Sequence, residues 1–341
     1  MTAPTRTWSN PLAIRVEPQG IAVSKSTADV YVFPSSAAHV KKTSDVGATW
    51  TDLANSPSIA WEAGFVTSTG RVLGFPSSGS LIYYSDDNGT TWGTITAPYT
   101  TYWIECCDQN TDGAIYIGHY IGHIYKSTDN GNTWTDATGN LPTSGVTPSC
   151  IRHTSTGTLW ISDGSSTSSD NGNMYYSTNN GVSWASSGYS GYSYTQFILS
   201  GSRYYAPIYN TKYVFNGTTG SYTVASSLPS SAGWWGCFPD NDGRYYVTNY
   251  AGQVYSSTDM SSFTLAYTNS ADLFGGIVDI NDNIWIAGSS NIVLGSVPAV
   301  SAKQLYIYSG GAWKPVTSTY VGVGGVWRLA TPYGGIGGVW K

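Results

Sequence analysis

The chain has 341 residues and a formal charge of −5, and only 10% of its side chains are charged. About a quarter is usual for soluble proteins, so solubility here rests on hydroxyls and turns, a habit of all-β proteins that work outside a cell. An acidic body argues against nucleic acid as a partner, and no run approaches the ~18 consecutive apolar residues of a membrane span.

The first residues, "MTAPTRTWSN", hold no apolar run, so no secretory leader is expected. "RTWSNPLAI" then reads as a lone outer strand. From there the chain falls into units of about forty residues, each with four short strand-like runs between turn residues. The second unit reads "AGFVTS", "RVLGF", "LIYYS" and "TWGTI"; the third reads "YWIECC", "AIYIGHY", "HIYKS" and "TWTDA". The fourth gives "CIRHTS", "TLWIS", "MYYS" and "SWASS", and the fifth is eroded around "YVFNGTTGSYT". The sixth gives "WWGCF", "RYYVTNY", "QVYSS" and "FTLAY", and the seventh, "GGIVDINDNIWIAGSSNIVLGS", stops after three strands. No window carries a helical period with caps.

This spacing predicts an all-β fold, a seven-bladed β-propeller, with six blades as the alternative if the eroded fifth unit is not a blade. Inner strands are expected to start near Gly20, Ala63, Trp103, Cys150, Gln196, Trp234 and Phe274. The N-terminal strand should supply the seventh unit's missing member and remove an exposed edge. Residues 1–298 are assigned to the propeller and 299–341 to a C-terminal tail of small hairpins.

One motif punctuates the units: "TSDVGATW" ending at Trp50, "SDDNGTTW" at Trp92, "STDNGNTW" at Trp134 and "STNNGVSW" at Trp184. A degenerate copy, "STDMSSF", keeps Asp259. A turn explains the residue types. Asp45, Asp87 and Asp129 accept backbone N–H groups, while Gly47, Gly89, Gly131 and Gly181 supply a positive φ. The tryptophans then pack on the blade edge, and Asn179, which replaces Asp in the fourth copy, still accepts through its amide oxygen. A catalytic acid would hardly recur round a ring or give way to Asn, so the motif reads as scaffold. The pattern resembles the Asp box, or BNR repeat, of sialidases and other propeller families, which implies a turn between the third and fourth strands of each blade. Sialidase activity is not expected. Arg71, Arg203 and Arg244 recur at one place in the repeat, and "AIRVEP" is a poor match to the Arg-Ile-Pro motif of that family.

Function is expected on the opposite loops, "APYTTYW", "GHYIGH", "SGYSGYSYT" and "SAGWWG". Their aromatic planes can stack on sugar C–H faces while polar tips bond hydroxyls. Candidate glycan-binding residues are Tyr99, Tyr102, Trp103, Tyr120, Tyr192, Trp234 and Trp235, against the plainer reading that Trp103, Trp234 and Trp235 are core between blades. The chain has three glutamates, Glu17, Glu62 and Glu105. Glu62 and Glu105 fall on neighbouring inner strands and could form the carboxylate pair of a glycoside hydrolase, or be hydrogen-bonded channel residues. His119, His123 and His153 read as hydrogen-bonded loop residues, so neither a metal nor a cofactor is expected. Cys106, Cys107, Cys150 and Cys237 show no zinc spacing and are expected as buried thiols, with a bridge to the adjacent pair as the alternative in an oxidising medium.

The last residues repeat Gly-Gly-x-Trp-Lys/Arg at 310–314, 324–328 and 337–341, carrying Trp313, Trp327 and Trp340. Residues 301–341 hold four cations and no acid. Gly-Gly between alternating residues signals tight hairpins, which are too small to stand alone. These repeats resemble C-terminal segments of bacteriophage tail and other virion proteins. The resemblance implies a virion protein made in a host cytoplasm; its tail is expected to bind other virion proteins or sister chains in a homo-oligomer, the alternative being that it touches the host surface itself. The expected function is a tail-fibre or receptor-binding component whose propeller binds host surface carbohydrate. The alternatives are a depolymerase using Glu62 and Glu105, and a non-enzymatic adaptor or decoration protein.

Overall fold

The computed structural model describes residues 6–100, 104–142, 146–164, 173–190, 196–200, 203–207, 213–218, 221–228, 233–297 and four tail strands within 306–330. The chain divides into two compact units, Met1–Val297 and Pro298–Lys341. Among the described residues there is no helix.

Unit one holds five four-stranded sheets and one sheet of eight among its described strands. Four of the four-stranded sheets are antiparallel meanders, such as Ile104–Gln109, Ile115–His119, Ile124–Ser127 and Thr135–Asp136. In the eight-stranded sheet two such meanders meet at a single parallel pair, Gln19 opposite Ala63. The first strands of successive sheets touch in cyclic order, and Val16–Val23 also contacts Leu273–Val278, so the sheets close into a propeller round an axis.

Burial follows from that stacking. The second strands "VYVFP", "VLGFP", "IYIGH", "LWISD" and "IWIAG" are buried at every position, because a neighbouring sheet covers each of their faces. The core is therefore a series of layers between sheets. One cluster joins Leu73, Phe75 and Ile82 to Ile104, Ile115 and Ile117 of the next sheet, each such side chain contributing about 1.5–3 kcal/mol by burial. Another joins Val16, Val30 and Val32 to Trp285, Ile292 and Leu294, where the ring closes. In two of the meanders the outermost strand, Thr51–Asp52 or Thr135–Asp136, is only two exposed residues long, which keeps those two open edges short.

The repeated motif forms the turn between third and fourth strands. In the second copy Ser85 Oγ accepts from Gly89 N (2.8 Å) and donates to Asp87 Oδ1 (2.8 Å). Asp87 in turn takes Thr91 N (2.8 Å) and Thr91 Oγ1 (2.7 Å), and these two bonds hold its carboxyl down at about 2. The same bonds recur around Asp45 and Asp129. At Asn179 the polarity of one bond reverses, since Nδ2 donates to Ser183 Oγ (2.8 Å). The degenerate copy keeps Asp259 accepting from Ser261 N at 2.8 Å.

These turns also dock onto the preceding sheet. A Cβ at Gly89 would meet Leu53, one at Gly131 would meet Leu73, and one at Gly181 would meet Ala137. Gly47 abuts Pro11 and Trp285 of the last sheet, and Trp50 stands edge-on to Trp285. Trp184 Nε1 bonds Ala137 O at 3.0 Å, again across the interface. The motif thus fastens sheet to sheet, a wider role than packing on its own blade edge.

The N-terminal strand Thr7–Leu12 pairs antiparallel with Ile292–Ser296 and completes the last sheet. Arg6, whose side chain is 4% exposed, locks it there by donating to Asp240 Oδ2 (2.9 Å), Asp282 Oδ2 (2.7 Å) and the Tyr246 hydroxyl (3.0 Å). Unit two shows two hairpins, Tyr306–Ser309 with Ala312–Pro315 and Thr319–Val323 with Val326–Ala330. Trp313 stands opposite Tyr308 and Trp327 opposite Gly322 in register; Trp340 lies outside the described residues.

Candidate functional site

Four of the inner strands share an irregularity that decides what faces the axis. In Trp61–Val66 the register steps from Trp61↔Pro76 to Ala63↔Phe75, so Glu62 has no partner residue opposite it. The same single-residue β-bulge leaves Glu105 over in Ile104–Gln109, Ser149 in Pro148–His153 and Trp235 in Trp234–Pro239. A bulge bends its strand and re-aims the extra side chain. Here it points four such side chains into one pocket of about 150 Å³ at one end of the axis. Pro18, Gln19, Tyr120 and Gln196 complete much of its wall.

Electrostatics in this pocket are uneven. Burial pushes the Glu62 carboxyl up to about 8, repulsion from Glu105 and Glu17 adds to the rise, and Arg15 opposes it. Arg15 is mostly exposed and pairs with Glu17 at 3.3 Å, outside the pocket. At neutral pH Glu62 is therefore a hydrogen-bond donor. Beside it lie a carboxyl, a hydroxyl and an amide (Glu105, Ser149 and Gln196), with Tyr120 and Trp235 as ring surfaces. Trp235 is half-buried and braced edge-on by Tyr250 (5.2 Å between ring centres). This is a set suited to a neutral, hydroxyl-rich ligand with a flat apolar face.

Of the residues expected from sequence, Glu62, Glu105, Tyr120 and Trp235 come together in this pocket. Two do not. Trp234 is wholly buried, edge-on to Tyr255 (5.6 Å), in the cluster with Ile198, Leu228 and Val247, so its ring offers no face to a glycan. The bulge sends Trp235 to the axis and its neighbour into the core. Tyr99 is 7% exposed, packed against His119 (4.8 Å) and Tyr125 in a layer between sheets. Tyr102, Trp103 and Tyr192 lie outside the described residues. Ser149 and Gln196 were missed, although Ser149 occupies the position equivalent to Glu62 and Glu105 in "PSCI" beside "WEAG" and "IECC".

The remaining candidates belong to the scaffold. Arg71 makes a two-pronged contact with Asp86 (2.7 and 2.8 Å) and reaches Asn132 of the next sheet. His119 is buried, His123 faces Asp136 at 3.7 Å, and His153 Nδ1 lies 2.6 Å from Asp108 Oδ2. All four cysteines are buried free thiols, and burial pushes each of them up.

No family model matches this chain, and no curated protein sequence does. Among solved structures it is similar to a streptogramin B lyase, at 16% identity and a TM-score of 0.70, over 86% of this chain and 98% of that one. It is similar to YCF48 bound to a D1 peptide, at 13% identity and a TM-score of 0.67, over 87% and 96%. It is also similar to a GH74 xyloglucanase from Xanthomonas campestris, at 14% identity and a TM-score of 0.63, over 84% of this chain and 53% of that one. Enzymes and a peptide-binding protein stand side by side in this group, so the likeness speaks to architecture rather than activity. By its strands, its closure and these neighbours, the chain is a β-propeller.

Proposed function

We propose that this chain is a carbohydrate-binding propeller of a bacteriophage particle, a tail-fibre or receptor-binding component that takes host surface glycan into the bulge-lined pocket. The observation that carries the reading is the convergence of Glu62, Glu105, Ser149 and Trp235, with Tyr120, on one axial pocket. The eight-stranded sheet is read as two blades joined at their first strands, which gives seven blades in all. The phage setting rests on the Gly-Gly-x-Trp-Lys/Arg repeats, through which the tail would bind other virion proteins or sister chains. Glycan-array binding by the full chain tests the site. Trp235→Ala and Tyr120→Ala should each weaken binding about tenfold or more, the loss of ~1–2 kcal/mol of stacking. Absence of binding to any glycan or host envelope fraction overturns the reading and leaves the adaptor role. Mass spectrometry of purified particles tests the setting.

A second reading, hydrolysis of host polysaccharide, is favoured by one observation: Glu62 keeps its proton at neutral pH beside a second carboxyl, the division of labour that general acid and partner require. Glu62→Gln should then cut release of reducing ends by about 10²–10⁴-fold with glycan binding retained. Equal release from wild type and variant, or none from either, removes it.

A further inference from the structure

The axis has a second end, and its chemistry is opposite. Here a cavity of about 330 Å³ lies between the later residues of the inner strands, sharing only Pro18, Gln19 and Gln196 with the acidic pocket. Its charged lining is Lys25, Arg152 and Asp108, a surplus of one positive charge, against two carboxyls and no cation at the other end. Much of the rest is apolar, with Ile21, Val23, Phe65 and Ile277 among the walls.

Arg152 is the informative residue. It carries five N–H donors, yet among the described residues the guanidinium makes one hydrogen bond, from Nη1 to Ile151 O at 2.8 Å. Asp108 on the same wall favours the charged guanidinium from a distance but makes neither a hydrogen bond nor an ion pair with it, and its Oδ2 is engaged with His153 Nδ1 at 2.6 Å. Lys25 sits at the exposed rim with its ammonium 5.8 Å from the centre of the Phe65 ring, and among the described residues it makes no ion pair. A guanidinium with spare donors in a cavity of mixed polar and apolar lining is satisfied by a planar anion that accepts two parallel hydrogen bonds.

We infer that this end of the propeller axis is a binding site for a small organic monocarboxylate, its carboxylate on Arg152 and its apolar body against Phe65 and Ile277. Lys25 at the rim draws the anion in and contributes a second, solvent-screened charge. The cavity's volume admits a body larger than an inorganic anion, at the lower limit of ordinary ligand sites. This site does not depend on the glycan reading, since it shares neither Glu62, Glu105 nor Trp235.

Isothermal titration of the full chain with benzoate, its neutral isostere benzamide and inorganic phosphate tests the assignment. Benzoate should bind, while benzamide and phosphate should bind at least about tenfold more weakly, since one lacks the charge and the other the apolar body. Arg152→Gln should weaken benzoate about tenfold or more with glycan binding unchanged, and Lys25→Gln should weaken it a few-fold without disturbing the core. Lys25→Gln also keeps the test decisive if Arg152→Gln does not fold. Equal affinity for benzoate and benzamide, no benzoate binding at all, or no change in either folded variant overturns the site.

Discussion

At the scale of single residues, Glu62 couples the pocket to pH. Its carboxyl is raised in the folded protein to about 8 by burial and by Glu105, whereas in the unfolded chain it titrates near the ordinary glutamate value. The folded state thus holds a proton that the unfolded state releases above pH ~4.5. Stability is full below that pH and falls as pH rises towards 8. Glu62→Gln keeps the donor and removes the titration. The variant should flatten the Tm profile between pH 5 and 8 and raise Tm at pH 8 by several degrees, as scanning calorimetry would show. Glu62 and Glu105 were legible as a candidate pair because glutamate is scarce here and both fall at one position of the repeat. The choice between Trp234 and Trp235 was not legible. A one-residue bulge inverts the inside–outside alternation, and nothing in "SAGWWGCF" announces where the extra residue falls. Arg152 went unnoticed for a related reason: its significance is the shortage of partners around it among the described residues, which only the packed structure displays.

At the scale of elements, the repeated turn shows what its sequence conceals. The conserved-looking glycine does have a positive φ, at Gly47, Gly89, Gly131 and Gly181, but so does the residue before it. Asn88, Asn130 and Asn180 sit at φ 59–60°, a conformation Asn tolerates through its short polar side chain. Val46 is forced to φ 57° at the same place, where a β-branched side chain costs ~1–2 kcal/mol. The side chain is 36% exposed, so little packing is lost on replacing it. Val46→Asn should stabilise the protein by about 1 kcal/mol and raise Tm by ~2–4 °C in thermal unfolding. The strands themselves were readable from alternation and turn residues. That the turns clamp neighbouring sheets was not, because Leu53, Leu73 and Ala137 carry no mark of the glycines they receive.

At the scale of the whole molecule, a ring of sheets is as stable as its seam. The seam here is the pairing of Thr7–Leu12 with Ile292–Ser296, and Arg6 secures it between Asp240 and Asp282. Arg6→Ala would leave two nearly buried carboxylates facing each other without their shared cation. A loss of ~3–5 kcal/mol is expected, read as a fall in Tm on the order of 10 °C. Hydrogen exchange should quicken in those two strands first, while the sheet built on Ile104–Gln109 stays protected. Equal loss of protection in all sheets would place the weak point elsewhere.

The seam also sets the order in which the molecule can be made. Thr7 and Ser296 are separated by 289 residues, so bringing them together costs about 3 kcal/mol more chain entropy than closing a hairpin of about ten residues. Each meander closes locally and early; the join between first strand and last must wait for nearly all of them. During that wait "IVLGS" stands as a bare, apolar strand edge, open to any other chain that can pair with it. The first strand is therefore a guard against misassociation as much as a structural member.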